Sequence, residues 1–286
     1  MTAITDVIVS ELIEPGSLSD PIALYRDVFA LRPEDPAPSP RLLTALAHNG
    51  SIALGARVNG ELVGFSYGFP GLDLDGGGRI ASIYHYMELL VVRADRQSTG
   101  IGRALMHFLR SISLTRGLRT IQWAYDPLRS ANAYFYLDVL GARGCGFAPN
   151  LYGIEDSGRD RGHPTDRIIA RWELTKPAVH WPQPPSGLVV GSPELDPRGD
   201  AETMLLAIPT AYDDQCGHDG AALRRRVCAV LSDLIASGFQ AVSCRKATDG
   251  TSVYRLVTGA QLRRREAVGS LPRAGSAPIA ESSSTV

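Results

Sequence analysis

The chain has 286 residues, a formal net charge of −1 at pH 7, and hydrophobic and charged fractions of 44% and 21%. This composition is typical of a globular protein, and the length allows one large domain or two small ones. The balanced charge gives no overall attraction to nucleic acid or to an anionic membrane. No apolar run approaches the ~20 residues of a membrane span and no signal peptide is apparent, so we expect a cytoplasmic protein. The scattered cysteines predict free thiols: Cys145, Cys216, Cys228 and Cys244.

The first third of the chain is predicted to contain a β-hairpin that follows one strand and two helices. The pair Asn59-Gly60 separates two apolar runs, and this pair favours a two-residue turn with positive φ. The glycine-rich stretch 71–78 is predicted to be a flexible surface loop. The other predicted elements are, in order, a strand at 7–13, helices at 17–29 and 41–48, and hairpin strands at 51–58 and 61–69.

The centre of the chain joins an apolar strand at 87–92 to a helix that starts near residue 101, where apolar residues begin to recur at helical spacing. Between them stands the run Gln97-Ser98-Thr99-Gly100-Ile101-Gly102-Arg103. The first N–H groups of a helix lack internal partners, the helix dipole places roughly half a positive charge there, and glycine lets an anion approach the backbone closely. This turn is therefore predicted to bind a phosphate, with an ordinary strand–turn–helix corner as the alternative.

The rest of the first half is predicted to add a crossover to a mixed sheet. The predicted elements are a strand at 120–125, a helix at 129–140, an extended segment at 147–154 and a strand at 168–174. This last strand would leave a sheet edge that must be covered or paired.

The second half is predicted to be a small α/β extension that packs on that edge, because it is too short to bury a core of its own. Its predicted elements are a strand at 204–208, a helix at 223–234, and paired strands at 239–244 and 252–257. One arginine of the run Arg224-Arg225-Arg226 is expected to turn toward an acidic neighbour or a substrate carboxylate. The expected divisions are a first domain at 1–175, a proline-rich linker at 176–187, the extension at 188–258, and a disordered tail at 259–286.

The order Gln-x-x-Gly-x-Gly, after a strand that ends in Val91-Val92, resembles the acetyl-CoA motif of the GNAT superfamily of N-acyltransferases. The resemblance implies an α/β fold with a mixed central sheet flanked by helices. It also implies acetyl-CoA or another acyl-CoA as co-substrate, without a metal, and that the strand backbone pairs with the pantetheine arm while the turn holds the pyrophosphate. The cofactor-binding residues implied are Leu90, Val91, Val92, Gln97, Ser98, Thr99, Gly100, Ile101, Gly102, Arg103 and Asn132.

The same resemblance implies two catalytic residues. Glu88 lies on the central strand where many GNAT enzymes keep a general base, and a carboxylate in an apolar strand is costly unless it is paired or functional. His85 has the opposite parity and should face away from Glu88, unless a bulge intervenes. The expected tyrosine acid would stand four residues before Gly141, but that position is Leu137, and Tyr136 is one residue out of register. Either the helix shifts and Tyr136 acts, or the helix carries no tyrosine acid.

Further runs resemble one branch of the superfamily that is linked to N-acylation, including N-succinylation, of amino acids. Arg129 and Arg167 are candidates to hold a substrate carboxylate, because arginine offers a planar bidentate donor. The runs that carry this resemblance are Trp123 to Leu128, Asn132-Ala133, Leu140 to Ala142, Asn150 to Gly153, and Thr165 to Arg167.

The predicted activity is transfer of an acetyl or succinyl group from acyl-CoA to a primary amine by direct attack in a ternary complex. The amine would belong to a small molecule, such as an amino acid or a biosynthetic intermediate. The alternative is a catalytically silent GNAT-fold module that binds CoA. The expected partners are the small-molecule amine and, as an option, a second copy in a homodimer, with neither nucleic acid nor membrane.

Overall fold

The computed structural model describes residues 7–14, 16–154, 162–196, 202–212 and 217–269. They form a mixed, 11-stranded sheet with helices packed against it, so the predicted α/β fold class is confirmed. The strand order is β1-β2-β3-β4-β5-β7-β6-β10-β11-β9-β8. The strands are β1 Val7–Glu11, β2 Ile52–Val58, β3 Glu61–Leu74, β4 Ile80–Val92, β5 Thr120–Tyr125, β6 Arg143–Ala148, β7 Arg167–Glu173, β8 Pro193–Leu195, β9 Thr203–Pro209, β10 Phe239–Lys246 and β11 Thr251–Thr258.

In the described residues six α-helices accompany the sheet, and α4 continues into one π-helical turn. The largest apolar core lies between the sheet and α3, α4 and α5, and a smaller one packs α1 and α2 against β2, β3 and β4. No helix in the described ranges is both long and apolar enough to cross a membrane. The helices are α1 Ser19–Val28, α2 Pro40–His48, α3 Ile101–Thr115, α4 Ser130–Tyr134, α5 Gly217–Ala236 and α6 Gly259–Gly269, and the π turn is Phe135–Val139.

The hairpin of β2 and β3 forms as predicted, with Asn59 and Gly60 at φ 52° and 82°. The prediction of a flexible loop at 71–78 is wrong, because β3 extends to Leu74 and β4 begins at Ile80. Only the five residues between them make the turn. The carboxylate of Asp75 accepts hydrogen bonds from the N–H groups of Gly77 and Arg79 at 2.8 and 2.9 Å, and thereby closes it.

The two halves of the chain join through β6 and not through β7, which corrects the edge predicted from the sequence. β7 lies between β5 and β6 and is paired on both sides. β10 therefore adds to the free edge of β6, where Ala241 stands opposite Gly144 in an antiparallel pair. A Cβ at Gly144 would lie 3.0 Å from the Cβ of Ala241, so the glycine permits this close approach.

The second half repeats the strand–helix–strand–strand order of the first half, with the same pairing. In the first half β7 pairs with β5 and β6, and in the second half β11 pairs with β9 and β10, all antiparallel. The helices cross the junction, since α4 and the π turn contact β10 while α5 contacts β6. Leu206, Leu231 and Tyr254 consequently belong to the same core as Leu105 and Trp123. The second half thus completes the core of the first.

The predicted disordered tail is wrong for residues 259–269, which form α6. Leu262 is buried with Trp181, Val242 and Val257, and the hydroxyl of Thr203 donates a 2.9 Å hydrogen bond to Gln261. Further contacts hold α6, since Arg265 stacks 5.1 Å from the ring centroid of Trp181 and Glu266 pairs with Arg143. Residues 270–286 lie outside the described part of the chain.

Candidate active site

A cavity opens where the parallel strands β4 and β5 separate. They pair only at His85 with Ile121 and at Tyr86 with Gln122, so their later residues diverge. The space between them is about 320 Å³. It is lined by Tyr25, Phe29, Leu31, Pro36, Met87, Glu88, Leu89, Leu90, Trp123, Ala124, Tyr125, Asp126, Arg129, Asn132, Tyr136, Tyr152, Thr165 and Arg167.

Glu88 is the extra residue of a β-bulge. Tyr67 of β3 stands opposite Leu89, and the next residue, Gly68, stands opposite Met87, so Glu88 has no counterpart. Bulges redirect side chains in this way and are frequent beside active sites. The carboxylate of Glu88 is open to the cavity, yet desolvation by the surrounding protein raises its pKa above the ordinary value. Glu88 therefore holds its proton to a higher pH than a freely hydrated glutamate.

His85 lies outside the set of described residues that line the cavity. Its side chain is only 1% exposed and packs beneath Gly68, where an added Cβ would lie 2.3 Å from Nε2. Burial, followed by the charge of Arg116, lowers its pKa to about 4. A neutral imidazole in the core is therefore expected at physiological pH.

The π turn accounts for the position of Tyr136. The N–H of Leu140 donates to the carbonyl of Phe135, five residues earlier, which inserts one residue relative to an α-helical turn. Tyr136 consequently lines the cavity, with its ring centroid 5.0 Å from that of Trp123, whereas Leu137 belongs to the same core but does not line the cavity. The helix thus contains a one-residue shift, and the role of Tyr136 as the acid stays a prediction.

The glycine turn before α3 is exposed, and it is shaped by backbone conformation. Gly100 has φ 95° at the N-cap of α3, in the left-handed region that favours glycine. The side chain of Gln97 donates to the carbonyl of Val92 at 3.1 Å, and the hydroxyl of Thr99 donates to the carbonyl of Arg96 at 2.6 Å. The first bond ties the turn to the end of β4, and the second lies within the turn itself.

The predicted site residues fall into two adjoining groups. Glu88, Leu90, Asn132 and Tyr136 line the cavity, together with the arginines proposed for substrate binding. Val91, Val92 and the turn 97–103 lie outside the cavity lining, at the end of β4 and the start of α3. A Cβ on Gly102 would approach Phe135 and Val92 to 3.8 Å, so the turn adjoins the helix that carries Tyr136.

Sequence reasoning missed the wall that the N-terminal segment contributes to the cavity. Tyr25 and Phe29 come from the end of α1, and Leu31 and Pro36 follow it. Their helical spacing indicated only a buried face, and nothing local tells which part of the molecule that face covers.

The second half contacts a residue of the cavity lining, Asp126, through Arg224 of α5. Its guanidinium lies 2.9 Å from the carboxylate of Asp126, with side-chain exposures of 3% and 11%, and stacks 5.3 Å from the ring centroid of Tyr212. The expectation that one arginine of 224–226 turns to an acidic neighbour is confirmed. Within the described ranges, no group of three or more His, Cys, Asp or Glu is placed to hold a metal ion.

Comparisons with known proteins complete the description of this site. Residues 21–141 match the model of the Acetyltransferase (GNAT) family, whereas no curated protein matches the chain. Among solved structures, the ribosomal-protein-S18-alanine N-acetyltransferase from Escherichia coli is 20% identical, with 60% of this chain and 96% of that chain covered and a TM-score of 0.44.

Two further solved structures are similar over the same extent. The ribosomal-protein-alanine N-acetyltransferase from Brucella melitensis is 18% identical, with 58% and 99% of the chains covered and a TM-score of 0.46. Aminoglycoside 6'-acetyltransferase type Ii is 23% identical, with 59% and 99% covered and a TM-score of 0.45. The match to the Acetyltransferase (GNAT) family covers less than half of the chain, and this part contains both the splayed strands and the glycine turn.

Proposed function

We propose that this enzyme transfers an acetyl or succinyl group from acyl-CoA to the primary amine of a small molecule, by direct attack in a ternary complex. The observation that carries the proposal is that one cavity, between splayed strands, is lined by both a carboxylate of raised pKa and a phenol. These are the two groups that a general base and a general acid require.

Glu88 and Tyr136 take the two proton transfers in this proposal. As the amine nitrogen bonds to the thioester carbon, its proton passes to the carboxylate of Glu88, directly or through water. The carbon–sulfur bond then breaks, and the leaving thiolate takes the phenolic proton of Tyr136. Beyond Tyr86 the backbone of β4 is not paired with β5, so N–H groups on that side are available to stabilise the tetrahedral oxyanion.

The cavity walls support an acceptor that carries both a carboxylate and an apolar group. Arg129 and Arg167 supply guanidinium groups, and Arg129 also lies 3.7 Å from Asp126. Tyr25, Phe29 and Leu31 supply the apolar wall. An amino acid or an amino-acid-like biosynthetic intermediate combines these features with a primary amine.

The test is release of free thiol from acetyl-, succinyl- and longer acyl-CoA in the presence of paired amines. Each pair consists of an amino acid and the amine that lacks its carboxylate. Amine-dependent thiol release with a higher kcat/KM for the amino acid is expected. Calorimetric binding of CoA without thiol release for any amine would contradict the proposal and favour the silent CoA-binding module.

Replacing Gly100 by Val is expected to raise the Kd for CoA at least tenfold, a change of about 1.4 kcal/mol or more. The reason is that a β-branched residue is strained at φ 95° and must displace the turn that is proposed to hold the pyrophosphate. Gly117, at the other end of α3, is the matched control, because it has φ 80° and open space around it. Gly117→Val should lose similar stability yet keep the Kd for CoA measured by calorimetry. Equal Kd values for both variants would contradict the assignment.

A further inference from the structure

We propose that Asp138 is a positioning residue, which holds the π turn against β10 and thereby keeps Tyr136 at the cavity. The second half of the chain would then act in the chemical step through this anchor. The inference rests on the proposed role of Tyr136 as the general acid.

Asp138 is clamped by three donors, all from β10. Its carboxylate accepts a hydrogen bond from the hydroxyl of Ser243 at 2.8 Å, from the N–H of Cys244 at 2.8 Å, and from Nε of Arg245 at 2.5 Å. The side chain is 2% exposed. A carboxylate buried to this degree is stable only when its oxygens are paired, and hydrogen bonds to an ionised group are among the stronger ones in proteins. The clamp is therefore a strong tie between the two halves.

This tie acts on the turn that sets the register of Tyr136. Asp138 stands two residues after Tyr136, inside the same π turn, Phe135–Val139. A π turn is rare and is kept by its surroundings, since the helix would be more stable with regular α-helical hydrogen bonds. One residue corresponds to about 100° around a helix of 3.6 residues per turn. Relaxation to the α-helical register would therefore move Tyr136 off the cavity and bring Leu137 toward it.

A buried ion pair such as Asp138 with Arg245 can stabilise the fold, or it can also position a neighbouring residue. If Asp138 only stabilises the fold, its loss lowers the melting temperature and leaves the kinetics of the folded enzyme unchanged. If Asp138 positions Tyr136, its loss removes the contribution of Tyr136 as well. The two residues are then coupled, and their effects on kcat are not additive.

The experiment is a double-mutant cycle on the full chain with Asp138→Ala and Tyr136→Phe, with kcat measured at saturating acyl-CoA and amine. Tyr136→Phe is expected to lower kcat at neutral pH by 10- to 100-fold. Asp138→Ala should lower kcat to a similar extent, and the double variant should fall no further than the lower single variant. The alkaline limb of the kcat profile, assigned to deprotonation of Tyr136, should disappear in both single variants.

Asp196→Ala is the matched control, because Asp196 pairs with Arg255 in a buried ion pair of the second half and does not line the cavity. It should lower the melting temperature and leave kcat and its alkaline limb unchanged. If Asp138→Ala does not fold, Arg245→Met replaces it, since Arg245 is partly exposed and its aliphatic part is retained. This variant should lower kcat 3- to 10-fold, with the same coupling to Tyr136→Phe.

Asp138→Ala, or Arg245→Met in its place, with wild-type kcat and full additivity would overturn the inference. Tyr136→Phe with wild-type kcat would instead remove Tyr136 from the proposed mechanism, and the inference with it. The two failures are distinguishable, because the first leaves the effect of Tyr136→Phe intact.

Discussion

Glu88→Gln is expected to lower kcat at pH 7 by about 100-fold or more, the usual contribution of a general base. Glutamine has nearly the same shape, so it keeps the bulge and the cavity while it removes the proton acceptor. The variant should recover part of its rate at higher pH, where more of the amine is already deprotonated. Steady-state kcat profiles across pH give the measurement, with Glu173→Gln on β7, outside the cavity lining, as the control.

The pH dependence of stability gives an independent check on Glu88. Desolvation raises its pKa in the folded state, so the folded protein binds the proton more tightly than the unfolded chain does. The proton on Glu88 therefore stabilises the folded protein fully at pH values below the unfolded pKa of about 4.3. This stabilisation is lost as the pH rises through the pKa of Glu88 in the folded state. Glu88→Gln should therefore melt at the same or a higher temperature than the wild type at neutral pH. If Glu88→Gln keeps the kcat of the wild type and its dependence on pH, Glu88 is excluded from the mechanism.

Truncation after Lys176 is expected to give an aggregating or inactive fragment. The fragment would lose core residues such as Leu206 and Tyr254, and it would expose the edge of β6. Asp138 would lose Ser243, Cys244 and Arg245, and Asp126 would lose Arg224 while it keeps Arg129.

Truncation after Gly269 is the control, because it keeps α6 and should retain activity. Truncation after Val257 should lower the melting temperature, since it removes Leu262 from the cluster with Trp181. The three fragments are compared by their soluble yield, melting temperature and thiol release. A soluble and fully active fragment that ends at Lys176 would show that the second half is dispensable.

The sequence by itself determined the features that depend on local conformation. Asn59-Gly60 predicts the hairpin, because few other pairs adopt positive φ twice at low cost. Gly100, between an apolar strand and an amphipathic helix, predicts the turn for the same reason. Glu88 was found because a charged residue stands out in an apolar strand, and its residue type alone suggested the chemistry.

Only the tertiary structure decided how these parts meet. The bulge at Glu88 and the π turn before Leu140 each shift a chain by one residue, and a shift of one residue leaves almost no trace in local composition. Contacts between residues that are distant in sequence determine where such a shift occurs. Asp138 is held by β10, more than a hundred residues away, and Arg224 reaches Asp126 from α5. The free edge of β6 was equally invisible, because strand order depends on which edges pair after the chain has folded.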